Sequence, residues 1–469
     1  MSSSARAAAS GHSQPSSDVS APELRRAVAA SAIGNATEWF DYGVYAYVAA
    51  EIGHSFFPGE HEMLGALLGF AVSFVLRPLG GIVWGPLGDR LGRSRVLTAT
   101  ILLMCSSTFL VGLIPSYQSI GIWAPVLLML LRVVQGFSTG GEYGGAATFM
   151  AEYAPNDKRG FWGSFLEFGT IVGFTTALLI VAGLRYLLGD DAMQEWGWRI
   201  PFLIAGPLGG VGVYMRLKLE DTPVFRALED DGHVHRDTSS HFKHLFGVHW
   251  RPVLQLFGLV LALNVANYTL LAYMPTYLSH SVGMDRNHSE MLLLIGQLFM
   301  MALMPVAGSL SDRIGRKACW WISLVGLFVL ATPMFMLMAQ SLVLAIVGFT
   351  VLGAVYVLQL GTISATFPAM FPAHVRYAGM AISYNVATAV FGGTAPAAND
   401  MLIDLTGNTL VPAFYMMGAC VIGMISLYFM IETRGASLHG IYTPGAHPAR
   451  RHGTAQAATV PPHARTARS

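Results

Sequence analysis

Runs of apolar residues long enough to cross a bilayer, about 20 residues at a rise of about 1.5 Å each, recur along this chain between short polar connections. They fall at 27–53, 64–88, 95–115, 122–150, 160–188, 199–219, 251–279, 290–310, 317–339, 342–367, 376–404 and 410–431. Backbone in lipid must satisfy its own hydrogen bonds, and a run of this length does so as a helix. The expected fold class is an all-α integral membrane protein of about twelve transmembrane helices. Composition agrees: 12% of the residues are charged, against about 25% in an ordinary soluble domain.

Most of the 28 Lys and Arg residues lie in alternate loops and in the two tails, which by the positive-inside rule places both termini in the cytoplasm. Arg185, Arg199 and Arg286 fall on the other side, and Arg77 and Arg132 lie within helices. The longest internal loop, 220–250, divides the helices into two sets of six, 23–219 and 251–432. Residues 1–22 are Ser/Ala-rich without a signal-peptide core, and 433–469 carry no heptads; both read as disordered tails.

The net charge of +1 is spread over short loops, so no nucleic-acid partner is expected. Cys105, Cys319 and Cys420 each sit in an apolar run and read as buried small hydrophobes. The histidines at 233, 235, 241, 244 and 249 cluster in the central loop and read as solvated, not as a metal site. No cofactor is expected; without a phosphate-binding loop there is no ATP drive. An enzyme is disfavoured, because no nucleophile or metal cluster accompanies the charges at depth.

Those charges begin in Gly34–Asp41 (GNATEWFD), where Glu38 and Asp41 share one helical face. A carboxylate at bilayer depth costs at least about 2.5 kcal/mol and is tolerated where it meets a cavity or a partner. Glu38 and Asp41 lie roughly 16 and 21 Å along the first helix, Arg77 roughly 20 Å along the second and Arg132 roughly 15 Å along the fourth. Glu142 and Glu167 fall in the cytoplasmic halves of the fourth and fifth helices. The second half offers Asn264, Asn267, Tyr268, Gln297, Tyr356, Gln359, Tyr384 and Asn385 and no comparable charge, so coupling chemistry is expected in the first half.

Ionisable residues at bilayer depth mark solute pathways and proton relays; a chain that coupled the two would need a carboxylate whose protonation is linked to cargo occupancy, beside a cation that changes its proton affinity. Asp41 and Arg132 suit that task, with Glu38 sharing the proton or touching cargo; a static ion pair between helices is the other reading. Arg77 suits a bidentate grip on a carboxylate or a permanent pair with Glu38 or Asp41. Glu142 and Glu167 suit a substrate cation or a proton relay, or else a lock with Lys158 and Arg159. Trp39, Tyr42, Tyr45, Tyr143 and Phe168 flank the acids and can hold a methylated ammonium over their faces, or simply fill the core. Acids, arginines and aromatics together favour a zwitterionic cargo over a dicarboxylate. Gly136, Gly140 and Gly144 are spaced for close helix packing.

A repeat fixes the architecture further. Gly85-Pro-Leu-Gly-Asp89-Arg90-Leu-Gly92-Arg93 closes the second helix, and Gly308-Ser-Leu-Ser-Asp312-Arg313-Ile-Gly315-Arg316 closes the eighth. This paired signature resembles that of the major facilitator superfamily. The resemblance implies two pseudo-symmetric six-helix bundles around a central cavity that opens alternately to either side. It also implies that Asp89, Arg90, Arg93, Asp312, Arg313 and Arg316, with Gly85 and Gly308, gate the cytoplasmic side. In sugar symporters of the superfamily an acid on helix one faces an arginine on helix four, as Asp41 and Arg132 are placed to do.

GNATEWFDYGVY (34–45), FVLRPLGG (74–81), LRVVQGFSTGGEYGGA (131–146), EYAPNDKRG (152–160), EWGWRIPF (195–202) and FPAMFPAHVRY (367–377) are similar to the metabolite:proton symporter family of bacterial inner membranes. Within it, NYTLLAYMPTYLSH (267–280) and FPAMFPAHVRY point to the osmolyte branch, whose long C-terminal coiled coil has no counterpart here. The resemblance implies proton-coupled uptake of a small zwitterion such as proline or glycine betaine. A mono-, di- or tricarboxylate such as 2-oxoglutarate or citrate is the alternative cargo, and a non-transporting membrane sensor a lesser one. Its partners would be cargo, protons and lipid; the sequence sets no oligomeric state.

Overall fold

The computed structural model describes residues 21–59, 61–91, 93–217, 249–436 and 438. Among these, twelve helical rods follow one another, six on each side of residues 218–248. The first half holds α1 (Ala21–Tyr47, continued by Ala49–Phe56), α2 (Glu62–Val75 and Arg77–Leu91), α3 (Arg93–Val111), α4 (Trp123–Thr139 and Glu142–Tyr153), α5 (Arg159–Leu188) and α6 (Arg199–Leu217). The second half holds α7 (Trp250–Ser281), α8 (Arg286–Ile314), α9 (Arg316–Met338), α10 (Leu342–Thr366), α11 (Ala373–Ala387, carried on to Thr406) and α12 (Val411–Phe429). Eight of the rods are long and apolar enough to span a membrane on their own. The central-loop histidines 233, 235, 241 and 244 lie outside the described residues.

Each rod is apolar on most of its circumference, so it buries one side on its neighbours and leaves the other for lipid. Leu79, Leu130, Val329, Val343 and Ile425 are exposed on the outer flanks, while one continuous apolar core runs through both halves. In the first half α5 lies along α1, α4 touches α2 and α3, and α6 packs on α3 and α1. In the second, α7 packs on α11 and α12, and α9 on α10 and α12. The halves meet where α5 packs on α8 and where α2 packs on α11.

Two of the breaks in the rods fall where the sequence supplies glycine. Helix α4 is interrupted at Gly140–Gly141 and α10 at Gly361–Thr362. Gly136 and Gly140 let α4 lie so close to α2 that a Cβ at either position would overlap the Ser73 or Arg77 carbonyl. Gly144 faces Ala381 of α11 at ordinary contact distance. The spacing of these glycines is thus a packing device, as expected. Helix α7 departs from regularity in a way its apolar pattern did not signal: Tyr268–Tyr273 and Tyr277–Ser281 are π-helical turns. Such widened turns accompany functional sites often, and this one carries Tyr268 into the centre of the molecule.

The candidate transport site and its two closures

Three polar layers cross the core of the first half. In the central one, Arg77 Nη2 donates to Glu38 Oε1 at 3.3 Å, both side chains being buried. The pairing weighed from sequence for Arg77 is therefore the one made here, with Glu38. The guanidinium carbon stands 4.5 Å from the Phe74 ring centroid and 4.9 Å from that of Tyr42. Tyr268 of α7 closes the group from the other half, 5.1 Å from Phe74 and 6.0 Å from Trp39. The Trp39 indole N–H, the Tyr268 hydroxyl and Arg77 Nε are buried and make no hydrogen bond among the described residues. Phe70, Phe74 and Phe174, which sequence reasoning did not single out, are the remaining rings of this box.

One helical turn along α1, Asp41 faces Arg132 of α4 across 3.8 Å. Arg132 donates to Gly69 O at 3.3 Å and Ser73 Oγ at 3.2 Å on α2, and lies 4.1 Å over the Tyr45 ring. Tyr45 is thereby assigned to the arginine and not to the aromatic box; its hydroxyl is used on Ala66 O at 2.9 Å. Gln135 bridges the acid and the base, a residue the sequence did not mark.

The third layer is Glu167, which accepts from the Tyr143 hydroxyl and from Thr170 Oγ1 at 2.9 Å. Arg159 instead donates to Ala151 O at 3.1 Å and Ala436 O at 2.8 Å, so of the two readings weighed for Glu167 the lock with Arg159 is not the one formed here. Glu142 is buried on the first turn after the α4 break. Tyr143 stacks on Tyr384 of α11 with centroids 4.1 Å apart, and Asn385 Nδ2 donates to Gly140 O at 2.6 Å; the halves touch here.

In the second half Asn264 Nδ2 donates to Thr388 Oγ1 at 2.8 Å, and the Tyr356 hydroxyl to Asn267 Oδ1 at 2.7 Å. Gln359 is fully buried with neither amide atom bonded among the described residues. Asp400 of α11 is buried and accepts from the Tyr273 hydroxyl at 3.1 Å; it stands within two turns of the helix end at Thr406, beside the exposed His280.

Both ends of the centre are closed. At the end carrying the second signature, Asp312 accepts from the backbone N–H of Gly160 and Phe161 at 2.8 Å each, and Arg316 Nη2 donates to Asp312 Oδ1 at 2.6 Å. Gly308 presses on Gly160, where a Cβ on either would overlap the other's carbonyl. Arg313 is exposed on the last turn of α8, and among the described residues the contacts at this end are those of Asp312, Arg316 and Gly308. The side chains of Asp89, Arg90 and Arg93, and Gly85, lie outside the described residues. At the opposite end, Glu51 accepts from Arg185 at 2.7 Å and from Arg286 of α8 at 2.9 Å, and Arg185 also pairs with Glu290 of α8. These are two of the three arginines that fell outside the charge bias of the loops; the third, Arg199, donates to Gly112 O and Ile114 O. A cavity of about 30 Å³ lies beside this cluster, reached by Tyr47, Arg185 and Glu290.

Twelve rods in two halves, meeting over a buried charged centre and closed at both ends by contacts between the halves, define a multi-pass membrane transporter. The chain belongs to the Major Facilitator Superfamily, whose family model matches residues 32–398. It is 44% identical over 433 residues to the glycine betaine/proline/ectoine/pipecolic acid transporter of Dickeya dadantii, covering 90% of this chain and 86% of that one. The proline/betaine transporter of Escherichia coli is 43% identical over 434 residues, with the same coverages of 90% and 86%. Among solved structures, the proton:xylose symporter XylE of the same superfamily superposes with a TM-score of 0.71 at 16% identity, covering 88% of this chain and 97% of that chain. Its partially occluded inward-open form gives 0.68 at 17% identity, covering 88% and 99%.

Proposed function

We propose that the protein takes up a small zwitterionic osmolyte, such as proline or glycine betaine, together with a proton, across a bacterial inner membrane with both of its termini in the cytoplasm. The observation that carries this is the Glu38–Arg77 pair inside a box of Trp39, Tyr42, Phe74 and Tyr268. A buried ion pair can be opened only if each partner receives another counter-charge, because one stranded charge costs about 3–5 kcal/mol. A zwitterion supplies both: its carboxylate pairs with Arg77 and its ammonium with Glu38. A plain carboxylate cargo would satisfy Arg77 and leave Glu38 stranded. A quaternary ammonium has no N–H to donate, and the ring faces serve it instead. The names of the relatives at 43–44% identity support the same cargo class.

Asp41 carries the coupled proton, with Arg132 as the cation that adjusts its affinity. Glu38 borders both tasks. Glu142 and Glu167, toward the signature end, form the inward side of the path, with Tyr143 and Tyr384 joining the halves there. Asn264, Asn267 and Gln359 supply polar contacts from the second half. Asp312, Arg316 and Gly308 hold the cytoplasmic side shut, and by the repeat Gly85, Asp89, Arg90 and Arg93 act in the first half; rocking of one bundle against the other exposes the centre to each side in turn.

Reconstituted vesicles with an imposed inward proton gradient test this reading. Labelled glycine betaine or proline should accumulate, 2-oxoglutarate and citrate should not compete, and Asp41→Asn should abolish accumulation. Accumulation indifferent to both the gradient and the substitution sinks proton coupling; competition by the organic acids alone sinks the zwitterion.

A further inference from the structure

Gln135 occupies the space between the two groups assigned to coupling. It lies one turn beyond Arg132 on α4 and is buried. Its carbonyl oxygen accepts from Arg132 Nη1, and its amide nitrogen donates to Asp41 Oδ2 and to Thr108 Oγ1 of α3, the last at 3.1 Å. The direct gap between acid and arginine is 3.8 Å, so the amide is the short path between them. Only one orientation works. Turned over, the carboxamide would set oxygen against the carboxylate and N–H against the guanidinium, two repulsions in place of two hydrogen bonds. Arg132 holds the oxygen and so obliges the nitrogen to face Asp41. Arg132 is itself held by Gly69 O and Ser73 Oγ on α2. The other carboxylate oxygen, Asp41 Oδ1, makes no hydrogen bond among the described residues.

We infer that Gln135 is the positioning residue that sets the proton affinity of Asp41, transmitting the placement of Arg132 to the carboxylate through one fixed amide and leaving Oδ1 as the oxygen that takes the proton. A donor locked onto a carboxylate favours its charged form. When α4 shifts against α1, the donor is withdrawn and the acid binds its proton more tightly; when the contact is remade, the proton is released. The other groups in Asp41's field are Arg132 of α4, Arg77 of α2, Cys105 and Thr108 of α3, and Glu38, Tyr42 and Tyr45 on its own helix. Of these, Arg132 and Thr108 hydrogen-bond to Gln135 and lose that partner when it is substituted, while the others make no hydrogen bond to it among the described residues.

The inference rests on Asp41 being the coupled carboxylate. The test measures, in proteoliposomes, the pH profile of gradient-driven betaine uptake beside betaine exchange at equal concentrations, which requires alternation without net proton movement. Gln135→Met removes the hydrogen bonds to Arg132, Asp41 and Thr108 at similar size. Gln135→Glu keeps an acceptor for Arg132 and loses the donor to Asp41. One hydrogen bond to a charged group corresponds to about one pH unit or more. The alkaline limb of the uptake profile should therefore move up by about one unit in both variants, with exchange within about twofold of the native rate. An unshifted limb in a variant that still exchanges overturns the inference, and so does loss of exchange in both, which would make Gln135 a packing residue. Should Asp41 not be the coupled acid, Asp41→Asn would still accumulate betaine. Should only the role of Gln135 be wrong, Asp41→Asn would fail to accumulate while the Gln135 variants keep the native profile.

Discussion

The Asp312 carboxylate caps a helix that belongs to the other half of the molecule. Its two oxygens accept from Gly160 N and Phe161 N at 2.8 Å each, the first turn of α5, where backbone N–H groups have no partner within the helix and the helix dipole favours an anion. Arg316 holds the carboxylate from behind at 2.6 Å. The second signature is therefore a capping device: its acid serves the start of a helix across the interface, and its arginine fixes the acid in place.

An uncharged replacement keeps the size of that cap and loses its charge. A cap is worth roughly 0.5–2 kcal/mol, enough to shift a two-state balance several-fold. Asp312→Asn should raise, by about three- to tenfold, the rate at which a polar thiol reagent applied from the signature side labels a Ser164→Cys reporter on α5. Gly160→Ala should do the same more strongly, because its methyl would press on the Gly308 carbonyl. Unchanged labelling in both would show that these contacts do not hold that side closed.

The opposite end is closed by a cluster of charges beside the Gln297–Tyr47 and Thr175–Gln297 hydrogen bonds. Arg185 joins Glu51 of α1 to Glu290 of α8, and Arg286 of α8 returns to Glu51. Glu51→Gln takes the shared counter-charge from both arginines, leaving Arg185 with Glu290 and the exposed Asp190. Opening toward the outside should then rise at least tenfold, read as labelling of a Tyr47→Cys reporter by an impermeant reagent added outside; labelling at the native rate would remove the cluster from the gating scheme. Because both ends are shut in this structure, Glu51→Gln and Asp312→Asn should bias the transporter in opposite directions, and together they should partly cancel.

Much of this was legible in the residues and some was not. The rods were, because an apolar run of bilayer length has one stable conformation in lipid, and the two-half design was, because the Gly-Asp-Arg-Gly-Arg spacing occurs twice. Asp41, Arg132, Glu38 and Arg77 stood out because a charge in such a run needs a partner. Gln135 did not: an uncharged amide in an apolar helix carries no penalty large enough to mark it, and nothing local separates it from Gln297, which donates to the Tyr47 hydroxyl at 2.6 Å. The outer cluster was hidden because Arg185 and Arg286 lie 101 positions apart by their numbering, and only folding brings them to the same acid. Phe70 and Phe74 were hidden among other apolar residues, since no pattern distinguishes a ring facing a guanidinium from one facing lipid.

Lysine is a poor replacement for an arginine that must hold a planar carboxylate while stacked on rings. Arg77 Nη2 reaches Glu38 from between Tyr42 and Phe74, and an ammonium there keeps the charge and loses the fork. Arg77→Lys should raise the half-saturating concentration for both proline and betaine at least tenfold while the protein still reaches the membrane and resists heat as the native chain does. An unchanged half-saturation would place the cargo carboxylate elsewhere.

On the function proposed above, the rings should separate the two cargoes. Proline carries a secondary ammonium whose N–H groups can donate to Glu38; betaine carries three methyl groups and depends on ring faces for its cation. Trp39 and Tyr268 stand 6.0 Å apart, one from each half, so both can lie against the same methylated head once the pair between them opens. A desolvated cation–π contact is worth about 2 kcal/mol, close to a thirtyfold effect for betaine, whereas proline retains its hydrogen bonds when a ring is lost. Trp39→Ala and Tyr268→Ala should therefore weaken betaine uptake by ten- to thirtyfold and proline uptake by less than fivefold, measured as the ratio of half-saturating concentrations for the two cargoes in the same vesicles. Equal losses for both would mean that the rings pack the site without recognising the cation, and a greater loss for proline would reverse the assignment of the ammonium to this box.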